Sequence, residues 1–154
     1  MGISFTAIDI KLATVRSTSI CRIDLLRVVN DRCTGALSLL VQPPNNYYWQ
    51  QGSQSHHVYP ALTENAPKFH LLWLKIAPFL VGQDVFAPSE ATFNALHQTL
   101  HFYHLAIPKF NPISIQNIFK NNFETLCIKH NIAYSPGGVL EMVRACGVLY
   151  DLVN

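Results

Sequence analysis

Charge is what this sequence has least of. Asp, Glu, Lys and Arg together make up 13% of its 154 residues, and the formal net charge is +2. So small a surplus does not argue for strong electrostatic capture of nucleic acid, which needs several phosphates neutralised at once, and it leaves a nucleic-acid partner open. Paired thiols are also missing. Cys21, Cys33, Cys127 and Cys146 form no CxxC motif and have no zinc-finger spacing, and their neighbours are apolar. That pattern predicts buried free thiols in a reducing compartment rather than a disulfide framework or a zinc site. Long hydrophobic runs are absent as well. The longest, HLLWLKIAPFLVG, is interrupted by Lys75 and Pro78 and is too short to span a bilayer. No leader-like stretch stands before the first strand, there is no internal repeat, and no tract is of low complexity. The expectation is a cytoplasmic protein with no membrane partner, folded as a single domain over residues 1–154.

Apolar residues, at 49%, suffice for one large interior. Three stretches rich in β-branched and apolar residues come first: Phe5–Leu12, Ser19–Val29 and Thr34–Val41. Asn30-Asp31 lies between the second and third and suits a hairpin turn. Pro43-Pro44 ends the third. Asn45 to Pro60 (NNYYWQQGSQSHHVYP) is polar and aromatic without period, and reads as a long surface loop. Phe69, Leu72, Trp73, Ile76 and Leu80 then follow the i, i+3, i+4, i+7 template of an amphipathic helix. A short strand at Val85–Ala87 leads into a helix carrying Leu96, Leu100, Tyr103 and Ile107. Further helices are expected over Asn121–His130 and Gly138–Leu152. Strands first and helices mixed in later predict an α/β fold, a mixed central sheet of about five strands flanked by helices.

Within the first strand, FTAIDIKLAT places Asp9 and Lys11 two residues apart, hence on one face. An acid and a base so placed are either half of an active site or a structural ion pair. His97, His101 and His104 have i, i+4, i+7 spacing on a helix, a pattern that binds metal adventitiously. Tyr47, Tyr48 and Trp49 in the long loop can stack on bases or anchor a protein partner. The residues alone leave those two open.

The order of these segments resembles the DEDDh 3′–5′ exonucleases, proofreading enzymes of ribonuclease H-like fold. Ala7-Ile8-Asp9-Ile10-Lys11-Leu12-Ala13 stands where the family has AIDFETA. Ser19 to Val28 resembles its second strand, and Ser55-His56-His57-Val58-Tyr59-Pro60 its IHGITP loop. Ala66-Pro67-Lys68-Phe69, Leu72-Trp73, Ile76, Pro78-Phe79-Leu80 and Gly82 resemble its APxFxxLWxxIxPFLxG segment. The resemblance implies a site of four carboxylates holding two Mg²⁺ or Mn²⁺ ions, with a histidine as general base. Position by position, only Asp9 matches. Lys11 replaces the second carboxylate. Thr92 stands at the third, chosen over Asn94 because its helical phase lies near the Leu96–Leu100–Tyr103 stripe. Gly137 replaces the histidine and Met142 the fourth carboxylate. His56 falls where the family's loop approaches the substrate end. The expectation is therefore a degenerate, non-catalytic member, with no catalytic residue and no metal or other cofactor. Its partner would be an unknown protein or single-stranded nucleic acid. The alternative is an active or residual 3′–5′ exonuclease on single-stranded nucleic acid, with Mg²⁺ or Mn²⁺.

Overall fold

The computed structural model describes residues 4–49, 57–119, 123–132, 145, 146 and 148. Five strands form one sheet in the order β3-β2-β1-β4-β5. They are β1 (Phe5–Leu12), β2 (Ile20–Val29), β3 (Arg32–Leu40), β4 (Asp84–Ala87) and β5 (Asn111–Ser114). The first three run antiparallel as a meander, whereas β4 and β5 join β1 in parallel. The helices are α1 (Pro60–Thr63), α2 (Phe69–Leu80), α3 (Glu90–Phe102), α4 (Ile115–Phe119) and α5 (Phe123–Lys129).

Local chemistry explains the connections. Asn30 and Asp31 join β2 to β3 with φ of 49° and 67°. That is the left-handed pair a two-residue hairpin of the right twist demands, and Asn and Asp tolerate it better than most residues. In α2, Pro78 cannot donate to the carbonyl of Leu74, but Leu74 lies on the solvent face, where water can serve that oxygen. At the helix end the free carbonyl of Phe79 accepts a 2.6 Å hydrogen bond from Thr6 Oγ1 of β1, which ties α2 to the central strand.

Because β1 is covered on both faces, its alternation sorts residues between two cores. Ile8 and Ile10 pack with Phe69, Ile76, Leu96 and Leu100 under α2 and α3. Phe5 and Ala7 pack with Leu26, Phe86, Ile115, Leu126 and Cys146 on the opposite face. Asp9 and Lys11 continue that second face toward the C-terminal end of β1. There the ladder slips, Lys11 opposing Arg22 but Leu12 opposing Ile20, so Cys21 is the extra residue of a bulge on β2.

Several sequence expectations change. Sheet residues begin at Arg32 rather than Thr34, since the hairpin turn is only two residues long. The strand β5 goes unpredicted because NPIS holds a proline, which only an edge position tolerates. Ile107 is not helical: α3 ends at Phe102, and the chain past it is irregular. His104 has a φ of 57°, outside the helix, so it does not share a helical face with His97 and His101. The helix expected over Asn121–His130 is described from Phe123 to Lys129, and α4 before it is an addition.

Candidate functional site

The side chains with chemical potential gather where β1 and β2 leave the apolar second core. Asp9 is 3% exposed. Lys11 Nζ stands 3.2 Å from Asp9 Oδ2, and its side chain is 16% exposed. The contact is one of charge. Asp9 Oδ2 satisfies no hydrogen bond among the described residues. Directly across the ladder, Asp24 opposes Asp9 and Arg22 opposes Lys11. Arg22 Nε donates to Asp24 Oδ2 at 3.1 Å, and its Nη2 donates to Ser38 Oγ of β3 at 3.0 Å. Like therefore faces like across the strands, and neutralisation runs along each strand between residues two apart. Cross-strand like charges repel, so each strand's own ion pair is what permits the arrangement.

Burial is the main force on both acids. It pushes the Asp9 carboxyl up to about 6, against the pull of the Lys11 charge, and the neighbouring Asp24 adds a smaller upward push. Asp24 is also raised by burial, opposed by hydrogen bonding from Ser38 and by Arg22. The buried Cys146 thiol is held well above its usual range by burial, with Asp9 contributing. Cys146 thus lies within charge range of Asp9, on the same sheet face.

A cavity of about 240 Å³ opens beside the pair, lined by Asp9, Lys11, Pro88, Ser89, Thr92 and Ala95 among others. The N-terminal turn of α3 brings Thr92 there. Asn94 instead turns outward and donates to Ser17 Oγ at 3.1 Å. Of the five site positions, Asp9, Lys11 and Thr92 thus share one cleft. Gly137 and Met142 lie outside the described residues, and so does His56.

This donor set does not fit a two-metal centre. Mg²⁺ requires several oxygen ligands in near-octahedral order. Here the carboxylate of Asp9 already faces an ammonium group, Asp24 is held by a guanidinium, and Thr92 brings a neutral hydroxyl. The formal charges of Asp9, Lys11, Arg22 and Asp24 sum to zero. Among the described residues no group of three or more His, Cys, Asp and Glu side chains is placed to hold a metal ion.

The other candidates separate. His97 packs beside Phe110, with ring centroids 6.1 Å apart, while His101 is exposed on α3. Tyr48 turns inward, its hydroxyl 2.6 Å from Thr63 Oγ1, which in turn donates to Asn46 Oδ1 at 2.7 Å. Tyr47 and Trp49, by contrast, expose their rings. Cys21 is buried beside Tyr48, and burial pushes its thiol up to about 12, so it is no nucleophile. Sequence reasoning missed Arg22 and Asp24. The signal was present, since they repeat the i, i+2 pairing of Asp9 and Lys11 on a strand that must pair with β1.

Cell-death related nuclease 4 aligns with a TM-score of 0.83 over 99% of this chain at 8% identity, and the chain spans 64% of that protein's length. The nuclease domain of 3′hExo, a DEDDh family member solved bound to rAMP, aligns at 0.77 over 96% of this chain and 89% of its own, with 12% identity. Exonuclease X, solved in complex with 5′ overhanging duplex DNA, aligns at 0.69 over 97% of this chain and 91% of its own, with 14% identity. No protein-family model and no curated protein sequence matches the chain. Identities this low carry the fold alone: the chain has the ribonuclease H-like fold of the DEDDh exonucleases.

Proposed function

We propose that this chain is an exonuclease-like domain without metal-dependent hydrolysis, and that it works as a non-catalytic binding module for a protein or for single-stranded nucleic acid. The observation that carries this reading is the 3.2 Å contact between Lys11 Nζ and Asp9 Oδ2. It puts a fixed positive charge where this fold's chemistry calls for a cation held by carboxylates. A divalent ion beside Asp9 would be repelled by Lys11, and Lys11 cannot leave without stranding a buried acid. Gly137 at the general-base position and Met142 at the fourth-carboxylate position supply neither proton acceptor nor ligand. One observation favours the second reading, a residual 3′–5′ exonuclease: the likeness of fold to nucleases solved with rAMP and with DNA.

Titration calorimetry with Mg²⁺ and Mn²⁺, paired with a nuclease assay on a labelled single-stranded oligonucleotide, separates the two. The proposal expects no saturable heat at millimolar metal and no shortening of the oligonucleotide. Saturable binding together with metal-dependent 3′ trimming, both lost in Asp9→Asn, would establish the exonuclease instead.

A further inference from the structure

A second cleft, of about 550 Å³, lies apart from the Asp9 cavity and shares no lining residue with it. Its volume falls within the range of roughly 300–1,000 Å³ in which proteins receive specific ligands. Thr14, Arg16, Asn45, Tyr47, Trp49 and Phe102 form much of its wall. Three of these rings are turned toward solvent: Tyr47 is 61% exposed, Trp49 42% and Phe102 51%. Exposed aromatics gathered round a concavity and rimmed by polar groups mark an interaction site rather than scattered surface apolarity.

The walls are pre-organised. Ser19 Oγ accepts from Thr14 N at 3.0 Å and donates to Arg16 O at 2.7 Å, which closes the β1–β2 loop on itself. That loop is pinned to α3 by Thr99 Oγ1 donating to Ser17 O at 3.3 Å. Trp49 N donates to Ala13 O at 2.8 Å, and Asn46 Nδ2 donates to Pro60 O at 3.0 Å. Little conformational freedom is left to lose at these anchors when a ligand seats.

Charge selects the occupant. Arg16 is the one charged side chain among the described residues lining the cleft, and no carboxylate joins it. A nucleic-acid strand gains its affinity from several phosphate contacts at once, which one arginine does not supply. Aromatic rings with a single arginine are instead the composition of protein-binding hot spots. We infer that this cleft docks a peptide segment of a partner protein, seating an aliphatic or aromatic anchor against Tyr47, Trp49 and Phe102 while an adjacent carboxylate pairs with Arg16. The inference rests on the reading of the chain as a binding module and gives that module its site.

A random peptide library displayed on phage, selected on the intact chain and counter-selected on Trp49→Ala, tests it. The enriched peptides should carry Leu, Ile, Phe or Trp next to Asp or Glu. When these are synthesised and titrated by fluorescence anisotropy, Trp49→Ala and Arg16→Glu should each weaken binding by roughly tenfold or more. Phe102→Ala should weaken it as well, and Lys11→Ala, in the other cleft, should leave it within about twofold. Circular dichroism melts confirm that each variant is folded, and Phe102→Ala serves if Trp49→Ala is not. Absence of enrichment over the counter-selection would overturn the proposal, as would peptides indifferent to Arg16→Glu. Tighter, Trp49-dependent binding of a twelve-residue oligothymidylate would overturn it in favour of nucleic acid. Each of those failures leaves the calorimetric and nuclease tests of lost hydrolysis standing on their own result.

Discussion

Removing Lys11 should destabilise the protein by an amount that depends on pH in a calculable way. The Asp9 carboxyl titrates at about 6 in the folded chain, against an ordinary value of 3.8. An acid whose folded value is raised takes up a proton on folding between those two values, so its contribution is favourable at low pH and is lost as pH rises through about 6. At neutral pH the ionised Asp9 therefore already costs about 3 kcal/mol relative to the unfolded chain, on the scale of about 1.4 kcal/mol per unit. In Lys11→Ala the lysine that holds the carboxyl down is gone, while burial, the Asp24 charge and the smaller pull of the Ile10 backbone remain. The acid then escapes by binding a proton. That escape sets a ceiling on the added loss of about 1.4 kcal/mol for each pH unit above the folded value of about 6. The cost from Asp9 should thus be roughly 1 kcal/mol at pH 7 and approach 3 kcal/mol at pH 8. Near pH 5, where Asp9 is mostly protonated in the parent as well, it should fall below about 0.5 kcal/mol. Only at high pH does it reach the roughly 3–5 kcal/mol typical of a buried pair broken on one side. Urea denaturation of parent and variant from pH 5 to pH 8 measures the difference directly. A loss that stays flat across this range would refute the reasoning, because it would assign the role of Lys11 to packing of its stem rather than to charge.

Four further outcomes follow from the same contacts. Asp24→Asn removes one of the influences that raise Asp9, so the Asp9 carboxyl should titrate below about 6, as followed by carboxyl carbon NMR; no movement would mean the two acids do not sense each other. Lys11→Glu alone should yield no metal-dependent cleavage of a single-stranded oligonucleotide, since groups that act as a unit are not restored singly; activity in that variant would show that other ligands are present and misassigned. Tyr48→Phe deletes a hydroxyl held 2.6 Å from Thr63 Oγ1 and should lower stability by about 1 kcal/mol, measured by chemical denaturation, with no effect if that hydroxyl is replaced by water. Asp31→Pro, at a φ of 67°, should lower stability by more than about 1 kcal/mol in chemical denaturation, because the proline ring holds φ near −65°, and an unchanged midpoint would show that this turn is not left-handed.

What the sequence makes legible depends on the range over which each signal acts. The hairpin turn at Asn30-Asp31 and the α2 stripe are local, set by backbone sterics and by a 3.6-residue period, and both are readable from a few residues. The strand β5 is not. NPIS has no strand pattern of its own, and it pairs only because β4 offers an edge that accepts a proline. The end of α3 is similarly hidden, because the apolar phase runs on through Tyr103 to Ile107 while His104 turns left-handed. At the site, the i, i+2 rule puts Asp9 and Lys11 on one face, and helix phase favours Thr92 over Asn94. Neither rule reveals depth. An ion pair open to water and one whose acid is only 3% exposed look identical in FTAIDIKLAT. Depth is set by what packs round the strand, where Asp24 is fully buried across the ladder and Cys146, distant in sequence, is buried within charge range. A register of Asp9 against Asp24 is a two-strand property that no single-strand pattern contains. Yet it decides the chemistry, because a second buried acid would draw a cation to this face if Arg22 did not already hold it at 3.1 Å. Two acids and two bases, each pair closed along its own strand, sum to no net charge among the described residues of the cleft. The chain's recognition chemistry is accordingly expected where charge and rings still face solvent, at Arg16, Tyr47, Trp49 and Phe102.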